Sequence, residues 1–187
     1  MTPTRIDRRQ ARTRQALLNA FVELVLDRGY ESVTVDDVVQ RANIGRSTLY
    51  AHFGGLYGIL KYSLTFPSTA LARIVDGDAT PEWLKPQLEH FREQRRRNKV
   101  FFVPPIRDAW VRRLAEMIEP RLVALAAARP RPTAPLPFDF IAAQLAETQI
   151  ALVTNWLALR PTTSPEVIGA ALIALTRATL EGLMPED

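Results

Sequence analysis

TVDDVVQRANIGRSTLYAHF, residues 34–53, is the stretch whose reading decides the fold. It reads as two short helices joined by a tight turn. Thr34 can cap the amides of a first helical turn, Asp37 three residues on completes a capping box, and Val33 can staple onto Val38. Val35, Val38, Val39 and Ala42 then recur at i, i+3, i+4 and i+7, one apolar stripe on a helix of about two turns. Asn43 tolerates the left-handed conformation that ends a helix, Ile44 can fill the angle between the two helices, and Gly45 is an adequate N-cap for the second. This is the grammar of a helix-turn-helix unit.

In the second helix Leu49 and Phe53, four apart, share a face and should pin it to the first. The opposite face centres on Ser47 and Ala51, flanked by Thr48 and Tyr50. Arg46 lies nearer the packed side, but its long stem in the first turn can swing outward. Such a face suits DNA. Hydroxyls from Ser47, Thr48 and Tyr50 can reach phosphates or base edges, the Ala51 methyl can meet a thymine methyl, and Arg46 can present two donors to guanine. The same residues could instead be the ordinary solvated face of a small helical hairpin, since many hairpins never meet DNA.

The run GYESVTVDDVVQRANIGRSTLYAHFGGLYGIL, residues 29–60, resembles the N-terminal DNA-binding domain of the TetR family of bacterial transcription regulators. The likeness rests on Gly29-Tyr30, the Thr34-Val35 helix start, the turn, and Thr48-Leu49-Tyr50-Ala51-His52-Phe53 in register. The resemblance implies base or phosphate contacts from Arg46, Ser47, Thr48 and Tyr50, a phosphate contact from His52, and a cap that touches the backbone at Thr34. One departure stands out. The family usually opens its fourth helix with a Lys after His-Phe, whereas this chain reads Gly54-Gly55-Leu56-Tyr57, with Leu56 in that place. One phosphate contact fewer should lower the salt slope of DNA binding by roughly 0.9 and weaken affinity without altering sequence preference, unless Lys61 or the N-terminal arginines compensate.

A length of 187 residues with 47% hydrophobic content allows one large or two small domains with a real core. No cysteine is present, so disulfides and thiolate metal sites are unavailable, and two histidines are too few for a His-based cluster. Neither metal nor cofactor is expected. No apolar run reaches the roughly 18 residues that span a bilayer, and MTPTRIDRRQARTR lacks the apolar core of a signal peptide. A cytoplasmic protein without a membrane partner is expected. A net charge of +4 and a pI near 9.8 permit nucleic acid as a partner without demanding it.

The basic charge is unevenly spread. Residues 1–14 hold Arg5, Arg8, Arg9, Arg12 and Arg14 against Asp7 alone, a solubilising tail or an arm that adds phosphate or minor-groove contacts. A first helix is expected from about Thr13 to Arg28, with Leu18, Phe21, Val22 and Val25 on its stripe, Leu17 and Leu24 beside it, and Gly29 as C-cap. A fourth helix begins near Gly55 and carries Leu56, Ile59 and Leu60. Pro67 should kink or end it. Thr80-Pro81-Glu82 reads as a cap, a first-turn proline and an acid, with Pro86 leaving the start ambiguous by one turn. That helix carries Leu84, Leu88 and Phe91 and ends in Arg95-Arg96-Arg97-Asn98-Lys99, read as cations at the negative end of a helix dipole. The next helix runs from about Ile106 with Trp110, Leu114, Met117 and Ile118, and Pro120 interrupts or restarts it.

Trp83, Phe91, Phe102, Trp110 and Met117 form an aromatic-rich set on proline-interrupted helices, either the lining of a small-molecule pocket or plain core. Gln149, Asn155 and Trp156 could look into the same pocket. RPRPTAPLP, residues 129–137, has four prolines and reads as a stiff connector. Two helices follow, Phe138 to about Leu159 and about Pro165 to Met184. In the last, Ile168, Leu172 and Leu175 make one stripe, and Ala170, Ala171, Ala174 and Ala178 make a second. Both must be buried, one against a second copy or all within a monomer. The resemblance implies a homodimer through 138–159 and 165–184.

The expected fold is all-α, with a three-helix helix-turn-helix DNA-binding domain over 1–55 and a helical ligand-binding and dimerisation domain over 56–187. The expected function is a DNA-binding transcriptional regulator, a repressor rather than an activator, that holds a pseudo-palindromic operator as a homodimer and is released by a small-molecule effector. The alternative is a helical dimeric ligand-binding or interaction module with weak or lost DNA binding. His90 has no nucleophile or metal-ligand spacing beside it, so no enzyme is expected.

Overall fold

The computed structural model describes residues 5–95, 97–128, 136–160 and 162–184. Residues 1–4 of the basic arm, Arg96 of the cationic run and residues 129–135 of the connector lie outside the described residues. Nine α-helices and no strand occur among the described residues. Contacts divide the chain into two units, Met1–Ser63 and Leu64–Asp187.

The first unit opens with α1 (Arg5–Arg28), which starts well before Thr13. The reason is local: RIDRRQARTRQ contains strong helix formers and neither Gly nor Pro, so nothing stops the helix short of Arg5. The basic segment from Arg8 to Arg14 is therefore helical rather than an extended arm. The buried stripe of α1 is Leu17, Ala20, Phe21, Leu24 and Val25, with Leu18 and Val22 only partly covered. The sequence stripe is thus turned by about one residue. Gly29 closes α1 at a positive φ of 81°, and a 3-10 turn at Tyr30–Ser32 sets Tyr30 edge-on to Phe21 with centroids 6.1 Å apart.

Next come α2 (Val35–Ala42), α3 (Arg46–Phe53) and α4 (Leu56–Ser63). Asn43 ends α2 in the left-handed conformation, φ 52° and ψ 48°, and Gly45 N-caps α3. Helix α1 packs on α2 and α4, α2 on α3, and α3 on α4. Leu17, Phe21, Val25, Val38, Leu49 and Ile59 are wholly buried in this core. Because α4 packs on α1, the division falls after Ser63, later than the residue 55 read from sequence.

The second unit begins with α5 (Thr65–Arg73). The helical run breaks at Leu64, three residues ahead of Pro67. Pro67 has no N–H for the Ser63 carbonyl and its ring crowds that oxygen, so the break appears a turn upstream of the proline itself. After a 3-10 turn at Ile74–Asp76 come α6 (Pro81–Glu93), α7 (Ile106–Ala127), α8 (Phe138–Leu159) and α9 (Pro165–Leu183). Thr80 caps α6, its Oγ1 accepting from Trp83 N at 3.2 Å, and Ser164 caps α9 in the same way. Helix α7 continues through Pro120, which lies on its exposed side. The expected interruption there does not occur.

Helix α7 packs on α5 and α8, α9 on α8 and α6, and α6 touches α5, which closes a ring of five helices. Gly169 lets α6 and α9 meet closely, because a Cβ there would lie 3.2 Å from Pro81 Cα. Lys85 of α6 and Glu166 of α9 pair at 2.6 Å beside that contact. The inner stripe of α9 is Pro165, Ile168, Gly169, Leu172 and Thr176. Leu175, grouped with the inner stripe by sequence, is 44% exposed and belongs to the outer face with Val167 and the alanines.

Candidate nucleic-acid interface

Thr34 is the N-cap of α2. Its Oγ1 accepts from Asp37 N at 3.3 Å, and Asp37 Oδ2 accepts from Thr34 N at 2.8 Å, the reciprocal capping box read from the sequence. Asp37 Oδ2 also takes Arg28 Nη2 at 2.6 Å, which ties the end of α1 to the start of α2. The Arg28 hydrogen bond, followed by those from Thr34, holds the Asp37 carboxyl well below the usual carboxylate range. Glu23 and Arg41 pair at 3.1 Å as a second link between the same helices. The first turn of α2 is thereby fixed before α3 begins.

Helix α3 turns Leu49 fully inward and leaves Ser47, Tyr50 and Ala51 exposed, with Thr48 and His52 half-buried. Tyr50 is 52% exposed, a large share for an aromatic side chain. Its Cε1 lies 3.9 Å from where a Cβ on Gly55 would sit. Arg46 does not project freely: its Nη2 donates to Asp36 Oδ2, and that carboxylate raises the guanidinium pKa further. The structure thus brings Arg46, Ser47, Tyr50 and Ala51 to the surface of one short helix, with Thr34 in a structural cap beside it.

Gly54 and Gly55 both have positive φ, 70° and 136°, so the turn between α3 and α4 needs glycine-like backbone freedom, and Leu56 stands after it where a lysine was expected. Gly58 had no assigned role in sequence; a Cβ on it would lie 1.7 Å from Phe53 O, so α4 rests directly on the end of α3. Arg14, the last arginine of the basic segment, faces two rings. Its guanidinium lies 5.9 Å from the Phe53 ring and 5.5 Å from the Tyr62 ring, which are themselves edge to face at 5.5 Å. A glycine inside an amphipathic pattern was the one available signal for Gly58; no sequence rule pairs Arg14 with rings so far along the chain.

In the second unit the aromatic set separates. Phe91 and Trp110 are buried and meet edge to face at 5.7 Å, and Trp110 Nε1 donates to buried Ser68 Oγ at 3.2 Å. Trp156 is buried with its Nε1 donating to Thr163 O at 3.0 Å. Gln149 donates from Nε2 to Thr176 Oγ1 at 3.0 Å, and its buried Oε1 has no hydrogen-bond partner among the described residues. Trp83 is 39% exposed under Arg73, Phe102 is half-buried in a 3-10 turn, and Asn155 is exposed. A cleft of about 500 Å³ opens where Ile74, Leu125, Ile173 and Met184 meet Arg177 and Glu181. A second cleft of about 660 Å³ includes Met117, the one member of the sequence set that lines either. No cluster of metal-ligating side chains occurs among the described residues, and no helix among them is long and apolar enough to cross a membrane.

Residues 17–62 match the family described as bacterial regulatory proteins, tetR family. The uncharacterized HTH-type transcriptional regulator YxbF of Bacillus subtilis (strain 168) is 35% identical over 72 residues, 38% of this chain and 18% of that protein. The uncharacterized HTH-type transcriptional regulator YdeS of the same strain is 34% identical over 62 residues, 33% of this chain and 30% of that protein. The match thus spans less than a third of the length of either curated relative. Over the longer range, the crystal structure of a TetR transcriptional regulator from Streptococcus agalactiae 2603V is similar over 91% of this chain and 96% of that chain, at 25% identity and a TM-score of 0.55.

Proposed function

We propose that the chain is a member of the tetR family of bacterial regulatory proteins, which residues 17–62 match, and that it is a DNA-binding transcriptional regulator that occupies a pseudo-palindromic operator as a homodimer and represses by occupancy. The observation that carries the reading is α3, whose Leu49 side is fully buried while Ser47, Tyr50 and Ala51 face solvent. A helix so mounted can enter a major groove, where hydroxyls, a methyl and a guanidinium reach base edges and phosphates. Exposed Arg8, Arg9 and Arg12 on α1 supply phosphate contacts in place of the missing lysine.

Dimerisation is supported by α9, which presents Val167, Ala174, Leu175 and Ala178 outward. Phe140 and Leu159 of α8 are likewise uncovered, at 50% and 67% exposure. A second copy would bury them and set two α3 helices about one DNA turn apart. A small-molecule effector enters the second unit, whose apolar cleft of about 500 Å³ lies in the range of small-ligand sites. It releases DNA by preferring the geometry that does not bind.

The test is titration of a duplex that the protein selects from a random pool. Two protomers per site are expected, with affinity falling about tenfold or more for Arg46→Ala and for Tyr50→Ala. Unchanged affinity in both variants would remove the assignment of α3.

A further inference from the structure

Asp36 and Asp37 stand side by side in the first turn of α2, next to the helix read here as facing DNA, where two bare carboxylates would repel phosphate. Neither is bare. Asp37 is taken by Arg28 and the Thr34 cap, and Asp36 by Arg46 Nη2. The two pairs differ in what they hold. Arg28–Asp37 joins two helices, whereas Asp36 and Arg46 are 60% and 64% exposed, and an open ion pair of that kind contributes little to folding. Its consequence lies in what the guanidinium can do next.

Resting on the assignment of α3 to DNA, we propose that Asp36 is a positioning residue that sets sequence discrimination through Arg46. A guanidinium has five N–H donors in a rigid fork, and Asp36 Oδ2 engages Nη2 alone. The pair biases the fork toward one orientation before DNA arrives and leaves donors for the paired acceptors of a guanine edge. A lone phosphate gains less, because it meets the Asp36 charge together with the Arg46 charge. Asp36 therefore spares base-specific contact and weakens contact with the backbone alone.

Asp36→Asn removes the charge at nearly constant shape, and Asp36→Ser removes it with less bulk. Fluorescence anisotropy against a duplex selected by the wild-type chain, and against a scrambled duplex of equal length, reads the ratio of the two affinities. Both variants should bind the scrambled duplex several-fold tighter and the selected one no tighter, so that the ratio falls at least several-fold. In an Arg46→Ala background, which has already lost discrimination, the same substitutions should change the ratio no further. A ratio that stays within about twofold of wild type, or a full additional loss in the Arg46→Ala background, overturns the role of Asp36. Should Arg46→Ala itself leave the ratio intact, or the wild type select no duplex, the assignment of α3 fails first and this inference with it. Equal melting temperatures for wild type and variants separate positioning from damage to the fold.

Discussion

Gly58 sits inside α4, where any side chain would have to occupy the place of the Phe53 carbonyl oxygen, 1.7 Å from an ideal Cβ. The obstacle is backbone, so it cannot swing aside. Gly58→Ala gains up to about 1 kcal/mol of helix propensity and must open the corner between α3 and α4, an overpacking cost of about 1 to 3 kcal/mol. With the full propensity gain, a net loss of up to about 2 kcal/mol is expected in urea unfolding of the first unit. DNA affinity should fall with it, since the end of α3 moves. Gly54 makes a contrast: space is open around it, and only its φ of 70° resists substitution. Asn, which accepts that conformation as Asn43 already does, should be nearly neutral there.

Between elements, the Lys85–Glu166 pair clips α6 to α9 over the Gly169 contact. The Lys85 hydrogen bond, with help from the Glu166 backbone and Ser164, lowers the Glu166 pKa from 4.5 to about 2. A depressed carboxylate stabilises the fold fully above its unfolded value and ceases to as pH falls through the folded one. The contribution of Glu166 is therefore present above about 4.5 and lost toward 2. Denaturant midpoints measured across that window should decline less steeply in Glu166→Gln, and the decline that remains includes the share of Asp37, whose carboxyl is also depressed. A slope unchanged by the substitution would show the clip to be inert. Elements such as these were legible wherever a short-range rule governs them. Thr34, Thr80 and Ser164 each announce a helix start by their own hydroxyl, and Asn43 and Gly29 announce ends by their φ. What stayed hidden depends on neighbours distant in sequence. Pro120 is tolerated because its face of α7 looks to solvent, Leu17 outranks Leu18 because of where α2 and α4 lie, and Phe91 and Trp110 fill each other's space instead of lining a common cavity. In the candidate interface the exposed hydroxyls of α3 could be read directly, but the engagement of Arg46 by Asp36, ten residues earlier, could not.

For the molecule as a whole, the division after Ser63 separates a small helical unit from one roughly twice its length. A smaller unit buries a smaller fraction of its surface and is the less stable on size alone. The three tryptophans of the sequence, Trp83, Trp110 and Trp156, all fall on the far side of that division. Indole emission therefore reports on Leu64–Asp187 only, while helical ellipticity weighs both units. In a urea titration the ellipticity should begin to fall before the emission shifts, and coincident curves would mean that the units unfold as one block. Trp110 and Trp156, each 3% exposed, are shielded from direct contact with anything that binds at α3, whereas Trp83 is 39% exposed. In a Trp83→Phe variant, any change in the remaining emission on adding DNA would thus be a message carried from one unit into the other, readable without a label.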